Sequence, residues 1–216
     1  MKIISIDGAC RNNGKEDSYG CGACAVLDKS AEEIVSIYMC DNPCTNQRAE
    51  LHGLLLALGY VNDKPDDYLV VTDSEYIYNA MTKGWLMSWS NSDFIGSTGE
   101  TIKNDDLWRQ ISSFYYSISE RHEPPCFYHI KGHILSIGKV TRSVILHNDS
   151  SGTELFYALY DKYDNDYDKI INKINAAQEC SKRINGFEYY EDQLKSFVVM
   201  NTVADCLASY NLDNYR

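Results

Sequence analysis

The sequence predicts an α/β fold, a mixed β-sheet with helices on its faces. Three observations carry this. Short β-branched apolar runs alternate with longer stretches of helical periodicity, in the order three strands, helix, strand, helices, strand, helices. The second and third strands are separated only by a short polar turn, the pattern of a hairpin. The composition, 44% hydrophobic and 24% charged over 216 residues, can bury a full core and excludes a disordered chain.

Each element has its own signal. Residues 2–6 (KIISI) form an apolar run followed by Gly8 and by Asn12-Asn13-Gly14, a strand and then a turn. Residues 20–27 (GCGACAVL) and 33–40 (EIVSIYMC) are the hairpin strands, with residues 28–32 as the turn. Residues 45–61 are the clearest helix. Thr45 or Asn46 can cap it, and Ala49, Leu51, Leu55 and Leu58 recur at helical spacing. A polar break with Pro65 leads to residues 68–72 (YLVVT), a strand ending at Asp73. Residues 74–82 read as a short helix stopped near Gly84, and residues 104–119 as another, opened by an Asn or Asp cap. After Pro124-Pro125, residues 126–130 (CFYHI) are a strand. Residues 154–163, 166–184 and 187–210 read as helices punctuated by Gly152 and Gly186.

No apolar run approaches a membrane span, and the N-terminus is too short and too acidic for a signal peptide. A cytoplasmic chain without membrane association is expected. Of the eight cysteines, Cys21/Cys24 and Cys40/Cys44 could be read as zinc ligands. Positions three apart on a strand face opposite sides, which favours free cysteines used as small core residues. The net charge of −11 gives no general basic surface for a polyanion. A nucleic-acid substrate would need local basic groups or bound metal.

Four acids stand where strands end or helices begin: Asp7, Glu50, Asp73 and Asp205. Asp7 and Asp73 follow apolar strand residues, where a charge is costly unless paired or metal-bound. Carboxylates suit Mg²⁺ or Mn²⁺, and two such ions can clamp both oxygens of a phosphodiester displacement. Singly, each acid reads equally as a cap or a solvated position. Their order and their neighbours change that reading.

The matches are Ile6-Asp7-Gly8 with Asn13-Gly14, then Thr45-Asn46-Gln47-Arg48-Ala49-Glu50, then Thr72-Asp73-Ser74. Next come Lys103-Asn104-Asp105-Asp106-Leu107-Trp108, Ile130-Lys131-Gly132-His133, and Asn201-Thr202-Val203-Ala204-Asp205-Cys206-Leu207-Ala208. In these blocks the chain resembles the type 1 ribonuclease H family, over residues 1–134 and about 200–210. The resemblance implies a five-stranded mixed sheet, its first three strands antiparallel, flanked by helices. It implies cleavage of the RNA strand of RNA–DNA hybrids, leaving 3′-hydroxyl and 5′-phosphate ends. It also implies a catalytic, Mg²⁺-binding tetrad of Asp7, Glu50, Asp73 and Asp205, with Mn²⁺ able to substitute. His133 then resembles the family's mobile histidine, which assists proton transfer or product release. Asn13, Asn46 and Gln47 resemble residues that contact the RNA strand, and Thr45 and Asn104 a pocket for a DNA phosphate. Trp85 and Trp89 match aromatic positions that serve either packing or a channel for the DNA strand. His129, four residues before His133, reads as structural.

Three departures stand out. The segment 83–104 is poor in bases where relatives often carry a basic protrusion. Pro43 and Cys44 precede Thr45 where some relatives have an arginine near the phosphate pocket. And 72 residues separate His133 from Asp205, where the family uses a short loop. Asp149 is a shorter-loop rival for the last acid, but the full match around Asp205 favours the latter. The expectation is one domain, 1–216, with a helical insertion at 136–200 that could meet a partner protein. Ile170, Ile174, Ala177 and Ile184 would form its apolar stripe. Lys162, Lys169, Lys173, Lys182 and Arg183 could supply phosphate contacts. The alternative function is a nucleic-acid- or partner-binding module on the same fold.

Overall fold

The first strand runs further than its apolar residues suggest. β1 covers Lys2–Arg11 and pairs antiparallel with β2, Tyr19–Asp28, from Ile3↔Leu27 to Arg11↔Tyr19. The polar second half of β1 stays extended because β2 supplies its ladder partners along the whole length. β4, Tyr68–Thr72, pairs parallel with β1 only through Lys2–Ser5. Beyond Ser5, β1 has a strand on one side only, and Asp7 stands at that opening. The computed structural model describes residues 1–28, 33–135, 152–186 and 190–214.

β3, Glu33–Asp41, extends the antiparallel side, and β5, Cys126–His129, the parallel side. The sheet has five strands in the order β3-β2-β1-β4-β5, as the resemblance implied. Strand alternation then assigns two cores. Ile4, Ile6, Val26 and Val70 pack against α1 (Asn46–Asp63), α2 (Glu75–Thr82) and α4 (Asp105–Ser119). Ile3, Leu27, Val71 and Tyr128 pack against α5 (Gly152–Asn165), α6 (Tyr167–Asn185) and α7 (Glu191–Asn214).

Several expectations are corrected in detail. A further helix, α3, covers Trp85–Asn91 after Gly84, whose φ of 75° favours glycine. Trp89 explains it: the ring packs 5.1 Å from the fully buried Trp108, so tertiary contact holds a turn that the local pattern does not announce. Asn104 is the N-cap residue of α4, at φ 61°, as the expected Asn or Asp cap. On α6 the buried stripe is Ile170, Ile174, Ala177 and Ser181, and Ile184 is only half-buried. The chain leaves α6 one residue after Ile184, so the last turn sits over less of the core. Lys162 and Lys169 both pair with Asp166. α7 runs through Met200 without a break, as the helical reading of residues 187–210 expected. Asp149 and residues 136–151 lie outside the described residues.

All eight cysteines are free. Cys24 is buried against α1, while Cys21 lies opposite Cys40 across the β2–β3 pair with 2.7 Å between sulfurs. Cys44 packs over Gly20. The four do not converge, which removes the zinc reading. No helix among the described residues is long and apolar enough to cross a membrane.

Candidate active site

Four elements deliver the four acids to one end of the sheet. Asp7 is on β1 and, by alternation from Ile3, faces the α7 layer. Glu50 is in the second turn of α1. That helix can press its backbone onto the sheet because Gly8 and Gly22 face each other there. A Cβ on Gly22 would stand 2.3 Å from the Ala49 carbonyl oxygen. Thr45 accepts from the Arg48 amide and starts α1 at that spot. Asp73 is the first residue past β4, and its carboxylate sits over Gly132, where a Cβ would stand 2.0 Å from Oδ2. Asp205 is in the middle of α7.

The electrostatics show that these acids share one environment. Burial, then Asp73 and Asp205, and last Glu50 push the Asp7 carboxyl well above the usual carboxylate range. The Gly8 amide, 2.6 Å from Oδ1, pulls the other way. Burial raises Asp73, with Asp205 adding to it and His133 opposing. Burial raises Glu50, opposed by the Ser74 hydroxyl and reinforced by Asp73. Burial also raises Asp205, against His133 and Ser209. Like charges gathered in a partly desolvated place titrate late.

Protein donors hold these carboxylates. Ser74 donates to Glu50 Oε2 at 2.6 Å, and Ser209 to Asp205 at 3.4 Å. Among the described residues, no three His, Cys, Asp or Glu side chains converge, as they stand, in a ligating arrangement. Four oxygen donors of one charge still match what a hard divalent cation selects.

His133 lies in the loop after β5 with φ 56° and a side chain 81% exposed. Its Nδ1 is 3.8 Å from Asp205 Oδ2. His129 is buried, with Nε2 3.1 Å from the Asp73 carbonyl oxygen and its ring edge-on to Tyr78. Burial holds its pKa below the usual histidine value. It steadies the backbone that carries Asp73.

The residues matched to nucleic-acid contact form a rim from the β1–β2 turn and the start of α1 to the N-cap of α4, with the two tryptophans on α3. Asn13 accepts from the Asn46 amide at 3.3 Å, joining the β1–β2 turn to the start of α1. Asn46 is exposed, and Gln47 and Thr45 are half-buried. Asn104 is half-buried, with an amide nitrogen that has no partner. Trp85 is 38% exposed, whereas Trp89 is wedged between Trp85, Tyr76 and Trp108.

Ser74, Arg48 and Asn185 were not singled out from the sequence as contributors, and Lys173 was read there only as a candidate phosphate contact. Ser74 both anchors Glu50 and caps α2, and its place directly after Asp73 was the available signal. Arg48 makes two bonds to Asp106, at 2.8 and 2.9 Å, and also reaches Asp41, tying α1 to the start of α4 beside Asn104. Asn185 and Lys173 reach the His129 backbone and the His133 loop from α6. No local pattern announces those two.

The family model RNase H matches residues 2–139. Ribonuclease HI of Synechocystis is 33% identical over 133 residues, covering 60% of this chain and 75% of its own. Ribonuclease H of Clostridium botulinum is 29% identical over 132 residues, covering 61% and 83%. Among solved structures, the PFV RNase H domain superposes with a TM-score of 0.51 at 18% identity, over 67% of this chain and 88% of that one, a likeness of fold. The match spans well over half the chain and takes in Asp7, Glu50, Asp73 and His133, so the chain belongs to the ribonuclease H family.

Proposed function

We propose that this chain is a metal-dependent endoribonuclease that cleaves the RNA strand of RNA–DNA hybrids, with Asp7, Glu50, Asp73 and Asp205 as its catalytic carboxylates. One observation supports the assignment of residues: β1, α1, the end of β4 and α7 bring four carboxylates to one end of the sheet, where the other three raise the Asp7 carboxyl. These four would hold Mg²⁺, with Mn²⁺ as a substitute. When bound, the ions supply activation of the attacking water and neutralisation of charge on the phosphodiester. The carboxylates bring the negative charge that concentrates such ions in one place. His133, exposed and close to Asp205, moves a proton or helps the 5′-phosphate product leave. Asn13, Asn46 and Gln47 offer amides that both donate to and accept from a 2′-hydroxyl, the group that separates RNA from DNA. Thr45 and Asn104 are proposed to grip a DNA phosphate, and Trp85 to stack on the DNA strand.

The reading takes 1–216 as one domain, with 136–200 as its family-atypical addition. α5, α6 and α7 all spend apolar residues on the sheet's own core, and a partner protein at 136–200 would meet the faces they leave outside. Eight free cysteines fit a reducing compartment such as the cytoplasm. The test is cleavage of labelled RNA–DNA hybrid, double-stranded RNA and double-stranded DNA, each with Mg²⁺ or Mn²⁺. The expected result is cutting of the RNA strand of the hybrid alone. Binding without cutting in either metal would favour the module that only binds nucleic acid.

A further inference from the structure

The helix α6 lies beyond the segment matched by the family model, yet it grips the strand and loop that lead to His133. It does so at two points. The Asn185 amide accepts from the His129 N–H at 2.8 Å and donates to the His129 carbonyl at 2.9 Å. Both bonds go to the last residue of β5, the sheet's edge strand, as a neighbouring strand would make them. One face earlier, the Lys173 ammonium reaches the His133 carbonyl at 3.3 Å and the Ile134 carbonyl at 3.4 Å. Twelve residues of helix separate the two grips, about 18 Å along the axis. Ile174 and Ala177 between them, and Ile170 just before, pack in the same cluster as Ile134 and Leu135.

The gripped loop is one that would not keep its shape unaided. His133 is a non-glycine residue at φ 56°. Such a conformation costs on the order of 1 kcal/mol or more and persists only where the surroundings over-determine it. The Lys173 bonds fall on the carbonyl of that same residue and on the next one. The buried side chains of Ile134 and Leu135 fix the chain on its far side.

We infer that Lys173 is a positioning residue for His133, and that α6 is a splint that presets the His133 loop. This rests on the role proposed above for His133. The hydrogen bonds of Lys173 among the described residues go to backbone carbonyls, so it sets where the imidazole starts and takes no part in the bond changes. The ordering of the loop is then completed on folding, before any hybrid binds.

The test compares Lys173→Met, Lys173→Arg, Lys169→Met, His133→Ala and the pair Lys173→Met with His133→Ala in the full chain. Lys173→Met is expected to lower kcat about fivefold with little change in KM. Lys173→Arg restores most of the loss because a donor remains. In the His133→Ala background, Lys173→Met should cost nothing further, since the two act through one group. Amide hydrogen exchange over residues 131–135 should quicken in Lys173→Met and not in Lys169→Met. An unchanged kcat, an equal loss in the His133→Ala background, or unchanged exchange would each overturn the inference. Failure of the wild type to cut hybrid would instead sink the proposed function, and the exchange measurement would still decide the role of Lys173.

Discussion

The backbone nitrogen of Glu50 lies where a side chain on Gly8 would have to be: a Cβ there would stand 2.3 Å from it, and 2.4 Å from the Ala49 carbonyl carbon. Both neighbours are backbone of α1, so neither can swing aside. Gly8 follows Asp7 directly, and the contact is what brings Glu50 down to the strand that carries Asp7. Gly8→Ala is therefore expected to lift the start of α1. Overpacking of this kind costs about 1–3 kcal/mol. Denaturant unfolding and hybrid cleavage should both show it, and a variant with wild-type stability and turnover would contradict the packing argument.

Asp73→Asn keeps the side chain's shape and removes its charge. The expected outcome is a folded protein without measurable hybrid cleavage at saturating Mg²⁺. A melting curve and a circular dichroism spectrum like those of the wild type establish the folding half. Near wild-type cleavage by such a protein would remove Asp73 from the catalytic set.

The acids also predict a pH dependence of stability. Asp7, Glu50, Asp73 and Asp205 are all raised in the fold from ordinary values of 3.8 for Asp and 4.5 for Glu. A raised carboxyl means that the native state holds more protons than the unfolded chain. The cluster's contribution is therefore most favourable below the unfolded values and is lost as pH rises through the native ones. With chelator present, the midpoint of thermal unfolding should be lower at about pH 8 than at about pH 5.5, and Mg²⁺ should raise it more at the higher pH. The difference should shrink in Asp7→Asn. A midpoint indifferent to pH and to Mg²⁺ would count against the cluster.

Arg48 tests whether the rim is held or merely adjacent. Its fork closes on both oxygens of Asp106 while also reaching Asp41. Lysine keeps the charge and loses the fork. Arg48→Lys is expected to cost about 1 kcal/mol of stability. It should raise KM for hybrid more than it lowers kcat, because Thr45 and Asn104 lie at the two ends it ties. Steady-state kinetics with unchanged KM would place Arg48 outside the substrate's path.

The tryptophans divide by burial. Trp85 is 38% exposed, and Trp108 is fully buried and donates to the Tyr76 hydroxyl at 2.7 Å. Trp85→Ala should leave the melting point nearly unchanged and weaken hybrid binding by about 1 kcal/mol, roughly fivefold. Trp108→Ala should instead destabilise by about 3–5 kcal/mol. Equal behaviour of the two variants would show that Trp85 serves packing alone.

What the sequence by itself determined is whatever depends on neighbours along the chain. The β-branched apolar runs, the helical recurrence in residues 45–61, the Thr45 cap and the six motif blocks are all local, and they placed the strands, the main helices and the acids. Tertiary structure decided what depends on distant partners. β1 extends to Arg11 because β2 lies beside it, and α3 forms because Trp89 finds Trp108. Asp205 follows His133 by 72 residues, and only the packing of α7 on β1 and β2 returns it to within 3.8 Å of that histidine. The grips of Lys173 and Asn185 on β5 and its loop belong to the same class. A lysine on a helix has no local pattern that says which backbone it will hold, because its bond is set by the docking of the whole helix.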